Sequence, residues 1–319
     1  MVGRSLLVAC ALVLGLPQMA AAQAFPSKTI RIIVGQAPGS GSDVIARRLA
    51  DGLSKLADQP VIVENRAGAG GNIATQTAAS APPDGHTLLF STSNTLTGNF
   101  FLYSDLKFKA EDFAPLATIA QTGFALATPA NGPDTVEKLT AAIKEKQGKA
   151  RYGAPNSSSL ASAELYLDMA GATATRVPYK SAPQALTDLI AGEIDFFFID
   201  ALTGLGPARR GQIKLLGVTT PKRLAAAPDV PTLDEAGVKG YDLAAWFGVF
   251  TNAETPAPTR EKLSGWIQQV VGAPEMRAFL EGTGNEALVG GADAVRTLVN
   301  AHTEKYRRLA ATGKIKPAD

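Results

Sequence analysis

The groups best suited to chemistry in this sequence are main-chain donors rather than reactive side chains. Gly35-Gln36-Ala37-Pro38-Gly39-Ser40-Gly41-Ser42-Asp43 follows the apolar run Ile30–Val34 and opens a helix-period segment. Such a turn stands at the carboxyl end of a parallel strand, where open α/β sheets bind ligands. Its three glycines let the backbone approach a ligand closely. The first amides of the helix have no internal acceptor, and with the helix dipole they favour an anion. The segment reads equally as a tight turn with Ser42 or Asp43 as N-cap. The construction recurs at once: Val61-Ile62-Val63-Glu64-Asn65 leads through Arg66-Ala67-Gly68-Ala69-Gly70-Gly71-Asn72 into another helix. Neither turn completes a dinucleotide fingerprint, because Val44 and Ile73 stand where the last glycine of G-x-G-x-x-G belongs, and no P-loop occurs. Lys and Arg are sparse in both turns, which favours a small carboxylate over a polyphosphate.

Later turns add hydroxyls. Asn156-Ser157-Ser158-Ser159 precedes a helix from Leu160, and Tyr179-Lys180-Ser181-Ala182 precedes one from Pro183. Each offers serine Oγ atoms and amides to a second acceptor group, although N-capping accounts for the individual serines as well. Asp200 closes the strand Phe196–Ile199 and suits either a ligand ammonium or a cap. Trp246 and Phe247, in an apolar run, read as core. Reactive chemistry leaves little trace. No G-x-S-x-G elbow occurs, and His86 and His302 read as surface or packing residues. Two His and one Cys are too few for a zinc site, so no metal or cofactor is expected, and no enzyme is nominated.

These turns need elements to hold them, and the chain supplies an alternation. Strands are predicted at Ile30–Val34, Val61–Val63, Thr87–Ser91, Leu116–Ile119, Ala125–Thr128, Arg151–Tyr152, Thr175–Val177, Phe196–Ile199, Leu215–Val218 and Trp246–Phe250. Helices are predicted at Asp43–Leu56, Asn72–Ala79, Val136–Glu145, Leu160–Ala170 and Pro183–Ala191, with Gly171 and Gly192 placed as left-handed caps. Amphipathic helices follow at Arg260–Val271 and Asp293–Leu309, with little strand signal after Phe250. Strand–helix alternation argues for an α/β architecture with mostly parallel sheets. The 319 residues suit two domains, and no single flexible tether separates them. Lys plus Arg number 31 against 29 acids, with no basic run, which argues against a nucleic-acid partner.

The first residues read as an address. Arg4, the apolar run to Leu16 and Ala20-Ala21-Ala22-Gln23-Ala24 form a secretory signal peptide over residues 1–22, cleaved after Ala22 or Ala24. The run is shorter than the roughly 20 residues that span a bilayer. Cleavage removes Cys10, so no disulfide forms, and a soluble periplasmic protein is expected.

Several of these segments, in this order, resemble the extracytoplasmic solute receptors of tripartite tricarboxylate transporters, the Bug proteins. They are Phe25-Pro26-Ser27-Lys28-Thr29-Ile30-Arg31, the turn Ala37-Pro38-Gly39 to Ser42-Asp43, Val63-Glu64-Asn65-Arg66 to Asn72, and Pro83-Asp84-Gly85-His86-Thr87-Leu88-Leu89. Val177-Pro178-Tyr179-Lys180 and Asp229-Val230-Pro231-Thr232-Leu233-Asp234-Glu235-Ala236-Gly237 complete the set. The resemblance implies a type II periplasmic binding protein, two α/β lobes with a ligand cleft between them. Residues 23–122 plus 224–319 would form lobe 1 and residues 123–223 lobe 2. It implies a small carboxylate bound by Gly39, Gly41, Ser42 and Asp43 in the first turn and by Ala69, Gly70 and Gly71 in the second. Ser91, Ser93, Asn94, Ser157, Ser158, Ser159, Ser181 and Asp200 would line the rest of the cleft. The implied partners are the membrane permease subunits, with the receptor a monomer. A receptor for a sensor kinase and a periplasmic hydrolase are the alternatives. The chain departs from the family pattern at Gln36, where an aromatic is common, and at Ser40 and Ser181, where glycine is common.

Overall fold

The computed structural model describes residues 25–179, 181–313 and 315–317. The expected signal peptide 1–22, both cleavage sites, Cys10 and Lys180 lie outside the described residues. The chain first lays down β1 (Ile30–Val34), α1 (Gly41–Ala57), β2 (Val61–Asn65), α2 (Asn72–Ala79), β3 (Thr87–Thr92), the single turn α3 (Asn99–Leu102) and β4 (Phe113–Thr122). Past Gly123 come β5 (Phe124–Pro129), α4 (Val136–Glu145), β6 (Arg151–Ala154), α5 (Ser157–Met169), β7 (Thr175–Pro178), α6 (Ala182–Ala191), β8 (Phe196–Asp200), α7 (Ala201–Arg209) and β9 (Ile213–Val218). The last third holds β10 (Ala245–Asn252), α8 (Ala257–Gly272), α9 (Pro274–Gly282), β11 (Asn285–Gly291) and α10 (Ala292–Ala311).

The strands sort into two sheets and hence two lobes: six strands in the order β11-β4-β10-β3-β1-β2, and five in the order β7-β6-β8-β5-β9. Apart from Arg31 and the terminal Asp200, β1 (IRIIV) and β8 (FFFID) are apolar because helices cover both faces of their sheets. α1 buries Ile45, Ala46, Leu49, Ala50 and Leu53, the stripe that a 3.6-residue repeat places on one side. Gly171 and Gly192 adopt the left-handed conformation expected of them (φ 57° and 76°).

Two expectations are corrected, and a helix appears where none was predicted. The sheets are mixed rather than mostly parallel: β1–β2, β1–β3, β6–β7 and β6–β8 are parallel, while β3–β10, β4–β10, β4–β11, β5–β8 and β5–β9 are antiparallel. The antiparallel pairs all involve β4, β5, β10 or β11, and β4, β5 and β10 adjoin the two places where the chain crosses between sheets. A strand does follow Phe250. β11 is a half-exposed edge with a bulge between Ala287 and Gly290, held where Thr118 Oγ1 donates to the Leu288 (2.8 Å) and Gly290 (3.2 Å) carbonyls. Two glycines and the broken register erase its period-2 pattern. Finally, α7 forms despite Gly204, Gly206 and Pro207. A Cβ on Gly204 would approach Ile199 Cγ2 to 2.8 Å, so glycine there lets the helix close on β8.

Candidate functional site

β1, β2 and β3 run parallel, so the turns that follow them share one edge of the six-stranded sheet. β6, β7 and β8 do the same in the five-stranded sheet. The segments singled out in the sequence therefore fall on two rims. These rims meet: Asn94, beyond β3, donates from Nδ2 to Ser158 Oγ in the first turn of α5. Asn94 is itself oriented by Tyr306 of α10, whose hydroxyl donates to Asn94 Oδ1 (2.6 Å).

The first turn is braced from within. The N-cap of α1 is Ser40, not Ser42 or Asp43, and its Oγ accepts from the Asp43 amide (3.3 Å). Asp43 is 2% exposed, and both of its oxygens are committed. Oδ2 accepts from the Gly39 amide (2.9 Å) and Arg47 Nε (3.0 Å), and Oδ1 from Asn65 Nδ2 (2.9 Å) and Arg47 (2.9 Å). Burial pushes the Asp43 carboxyl up, but Arg47, the Gly39 amide and Asn65 outweigh it and hold the carboxyl below its ordinary value. Asp43, expected among the ligand contacts, is instead the carboxylate that shapes the turn. Asn65 also donates to the Gln36 carbonyl (3.0 Å), tying the second turn to the first.

What this bracing leaves over is the important part. Ser40 takes the third amide of α1, and among the described residues the Gly41 and Ser42 amides meet no acceptor. α5 repeats the arrangement. Asn156 is its N-cap and accepts from the Ser159 amide (2.9 Å), so the Ser157 and Ser158 amides meet no acceptor among the described residues. Two helix N-termini, one from each lobe, thus present two bare amides apiece, those of α5 beside the Asn94–Ser158 contact. Open N–H groups at the positive end of a helix are an anion site.

The other expected residues divide. Ser159 Oγ donates to the Phe198 carbonyl (2.7 Å) in full burial and its amide is capped, so Ser159 packs α5 on β8 rather than facing a ligand. The Gly71 amide donates to the Gly68 carbonyl (2.9 Å), and Gly71 accepts from Thr75 Oγ1 (3.0 Å), which makes it a structural position too. A Cβ on Gly35 would lie 2.7 Å from Gly71 Cα, so the two turns pack backbone against backbone. Ala69 and Gly70 are left-handed (φ 47° and 62°) and stand on the exposed side of the second turn. Ser91 is buried at the end of β3, with Oγ donating to the Thr92 carbonyl (3.1 Å). Ser181 occupies the N-cap of α6 without a capping bond, and Asp200 caps α7 by accepting from the Thr203 amide (3.2 Å). Sequence reasoning missed the roles of Asn156 and Tyr306. Asn156 is legible as a cap three residues before Ser159, but Tyr306 lies 212 residues from Asn94, and no local signal joins them.

His302 and Trp246 pack against each other. His302 is buried against the edge of Trp246, with ring centroids 5.8 Å apart. Ser93 Oγ, Ser162 Oγ and His302 Nδ1 are each buried without a partner, so no serine–histidine hydrogen bond forms among them.

The model of the tripartite tricarboxylate transporter family receptor matches residues 45–313. The chain belongs to that family. It is a solute-binding receptor, in keeping with the order of its motifs. A UPF0065 protein of Bordetella bronchiseptica is 34% identical over 319 residues, 98% of this chain and 94% of the relative. Among solved structures, Rpa4515 of R. palustris, solved with adipate, is 28% identical with a TM-score of 0.82, over 92% of the receptor and 100% of that chain. MatC from Rhodopseudomonas palustris, with bound malate, is 26% identical with a TM-score of 0.77, over 89% and 99%. The two lobes of the receptor are the architecture that these proteins share.

Proposed function

We propose that this receptor works in the periplasm, closing its lobes on a small dicarboxylate and presenting it to the membrane permease subunits of a tripartite transporter. The observation that carries this reading is the pair of bare helix N-termini, Gly41-Ser42 on one lobe and Ser157-Ser158 on the other. One carboxylate per lobe satisfies both, and the bound acids of Rpa4515 and MatC each have two. Ser42, Asn94, Ser158, Ser181 and the Ala69–Gly70 rim supply the remaining contacts, with Asp200 beside them. Residues 1–22 serve as the signal peptide, the mature receptor is a monomer, and it releases its ligand unchanged.

The chain from 23 to 122 and from 245 onward moves as one lobe and 123–244 as the other; the expected boundary at 224 shifts to 245, because Leu224, Ala227, Leu233 and Tyr241 pack with the five-stranded sheet. The hinge is the pair of crossings that run side by side. There the Phe124 amide donates to Thr219 Oγ1 (2.9 Å) and the Thr219 amide to the Phe124 carbonyl (2.8 Å). Shifting a two-state equilibrium from mostly open to mostly closed takes about 5 kcal/mol of differential affinity. Four amide bonds to carboxylates at about 1.5–3 kcal/mol each are enough. Calorimetry of the ligand-stripped receptor against dicarboxylates, tricarboxylates, acidic amino acids and aromatic acids tests it. A dicarboxylate is expected to bind tightest and to reduce the radius of gyration in solution scattering. Silence from the whole panel refutes the proposal.

A further inference from the structure

At the contact between the lobes, and extending inward from Asn94, Ser158 and Tyr306, lies a small cavity of about 10 Å³. That is space for one water molecule. Ser93, Ser162 and His302 line it. Each is more than nine-tenths buried, and Ser93 Oγ, Ser162 Oγ and His302 Nδ1 have no hydrogen-bond partner. Burial favours the neutral His302 imidazole, and Nδ1 is the ring nitrogen without a partner, so Nδ1 is assigned the lone pair. Two hydroxyls and one acceptor nitrogen are what a single water needs for three hydrogen bonds.

The positions of these residues repeat the outer contact one layer deeper. Asn94, Ser158 and Tyr306 join the loop after β3, α5 and α10 at the ligand cleft. Ser93 is the residue before Asn94, Ser162 lies one helical turn after Ser158, and His302 one turn before Tyr306. We propose that an ordered water occupies this cavity, donating to His302 Nδ1 and to one serine Oγ and accepting from the other serine. It forms an inner rung that fixes the same three elements and so holds Asn94 and Ser158 in place. Ser93, Ser162 and His302 are positioning residues. Their role in ligand affinity rests on the function proposed above; the water itself does not.

A high-resolution crystal structure of the full mature receptor decides the site. One water is expected within about 2.6–3.2 Å of all three atoms. A dry cavity, or a ligand atom in the water's place, overturns the proposal. Ser162→Ala removes one partner without adding bulk. Calorimetry with the tightest dicarboxylate of the panel should show affinity lowered by about fivefold, as for one lost hydrogen bond, with cooperative thermal unfolding retained. Ser162→Thr, which keeps the hydroxyl, should restore the affinity. Unchanged affinity in Ser162→Ala overturns the positioning role. Should no acid bind the wild type, the function above falls, while the water peak still decides the cavity.

Discussion

Gly41→Val separates binding from folding at the centre of the site. Gly41 is the first residue of α1, and its backbone is not left-handed. A Cβ built there meets nothing within 4 Å, so the fold has room for a side chain. Helical Cβ atoms point toward the N-terminus, so the valine would stand over the Gly41 and Ser42 amides. Losing two charge-assisted bonds at about 1.5–3 kcal/mol each removes at least about 3 kcal/mol of affinity. That raises Kd by roughly 100-fold or more, while the helical preference of valine over glycine keeps folding stability within about 0.5 kcal/mol. Gly70→Val is the contrasting variant. Gly70 has φ 62°, and its Cβ would fall 2.7 Å from the Tyr103 hydroxyl. Left-handed strain in a β-branched residue, with that clash, costs about 2 kcal/mol of stability, or about 4–8 °C in Tm. Isothermal calorimetry and thermal unfolding of both variants read the two effects apart. A Gly41→Val receptor that binds like the wild type would refute the reasoning, because the amides of α1 would then not face the ligand.

Two further outcomes follow from the titrating groups. Asp43→Asn removes the charge that holds Gly39, Arg47 and Asn65 together and should lower stability by about 2 kcal/mol at neutral pH. Because the folded Asp43 carboxyl titrates below its unfolded value near 3.9, its contribution is complete above about pH 4 and is lost as pH falls through the folded value. The variant should therefore close on the wild type in acid-unfolding curves, and a constant gap down to pH 2 would contradict the brace. Burial, reinforced by Lys305, pushes His302 down to about 4. The unfolded chain then binds the extra proton first, so stability should decline as pH falls from about 6.5 toward 4 and flatten below, by roughly 3 kcal/mol in all. An NMR titration that places the imidazole near 6.5 would refute it.

The fold was legible where pattern and burial agree. β1, β8, α1 and the caps at Gly171 and Gly192 follow directly from apolar runs, a 3.6-residue stripe and left-handed glycines. α7 and β11 were not legible, because glycines chosen for close packing on Ile199 and Thr118 resemble turn residues in isolation. The candidate site was legible only as two rims of glycine and serine at strand ends. Which atoms remain open was not. Ser40 and Asn156 take the third amide of each helix, Asp43 and Ser159 turn inward, and the Asn94–Tyr306 pairing depends on a contact across 212 residues. A sequence shows which groups can donate; only the packed neighbours show which donors are already used.

The crystal structure of the receptor with its tightest acid bound tests the central claim most directly. One carboxylate is expected within hydrogen-bond distance of the Gly41 and Ser42 amides, and the other at the Ser157 and Ser158 amides. A ligand seated away from these helix ends, or gripped chiefly by arginine side chains, would contradict it.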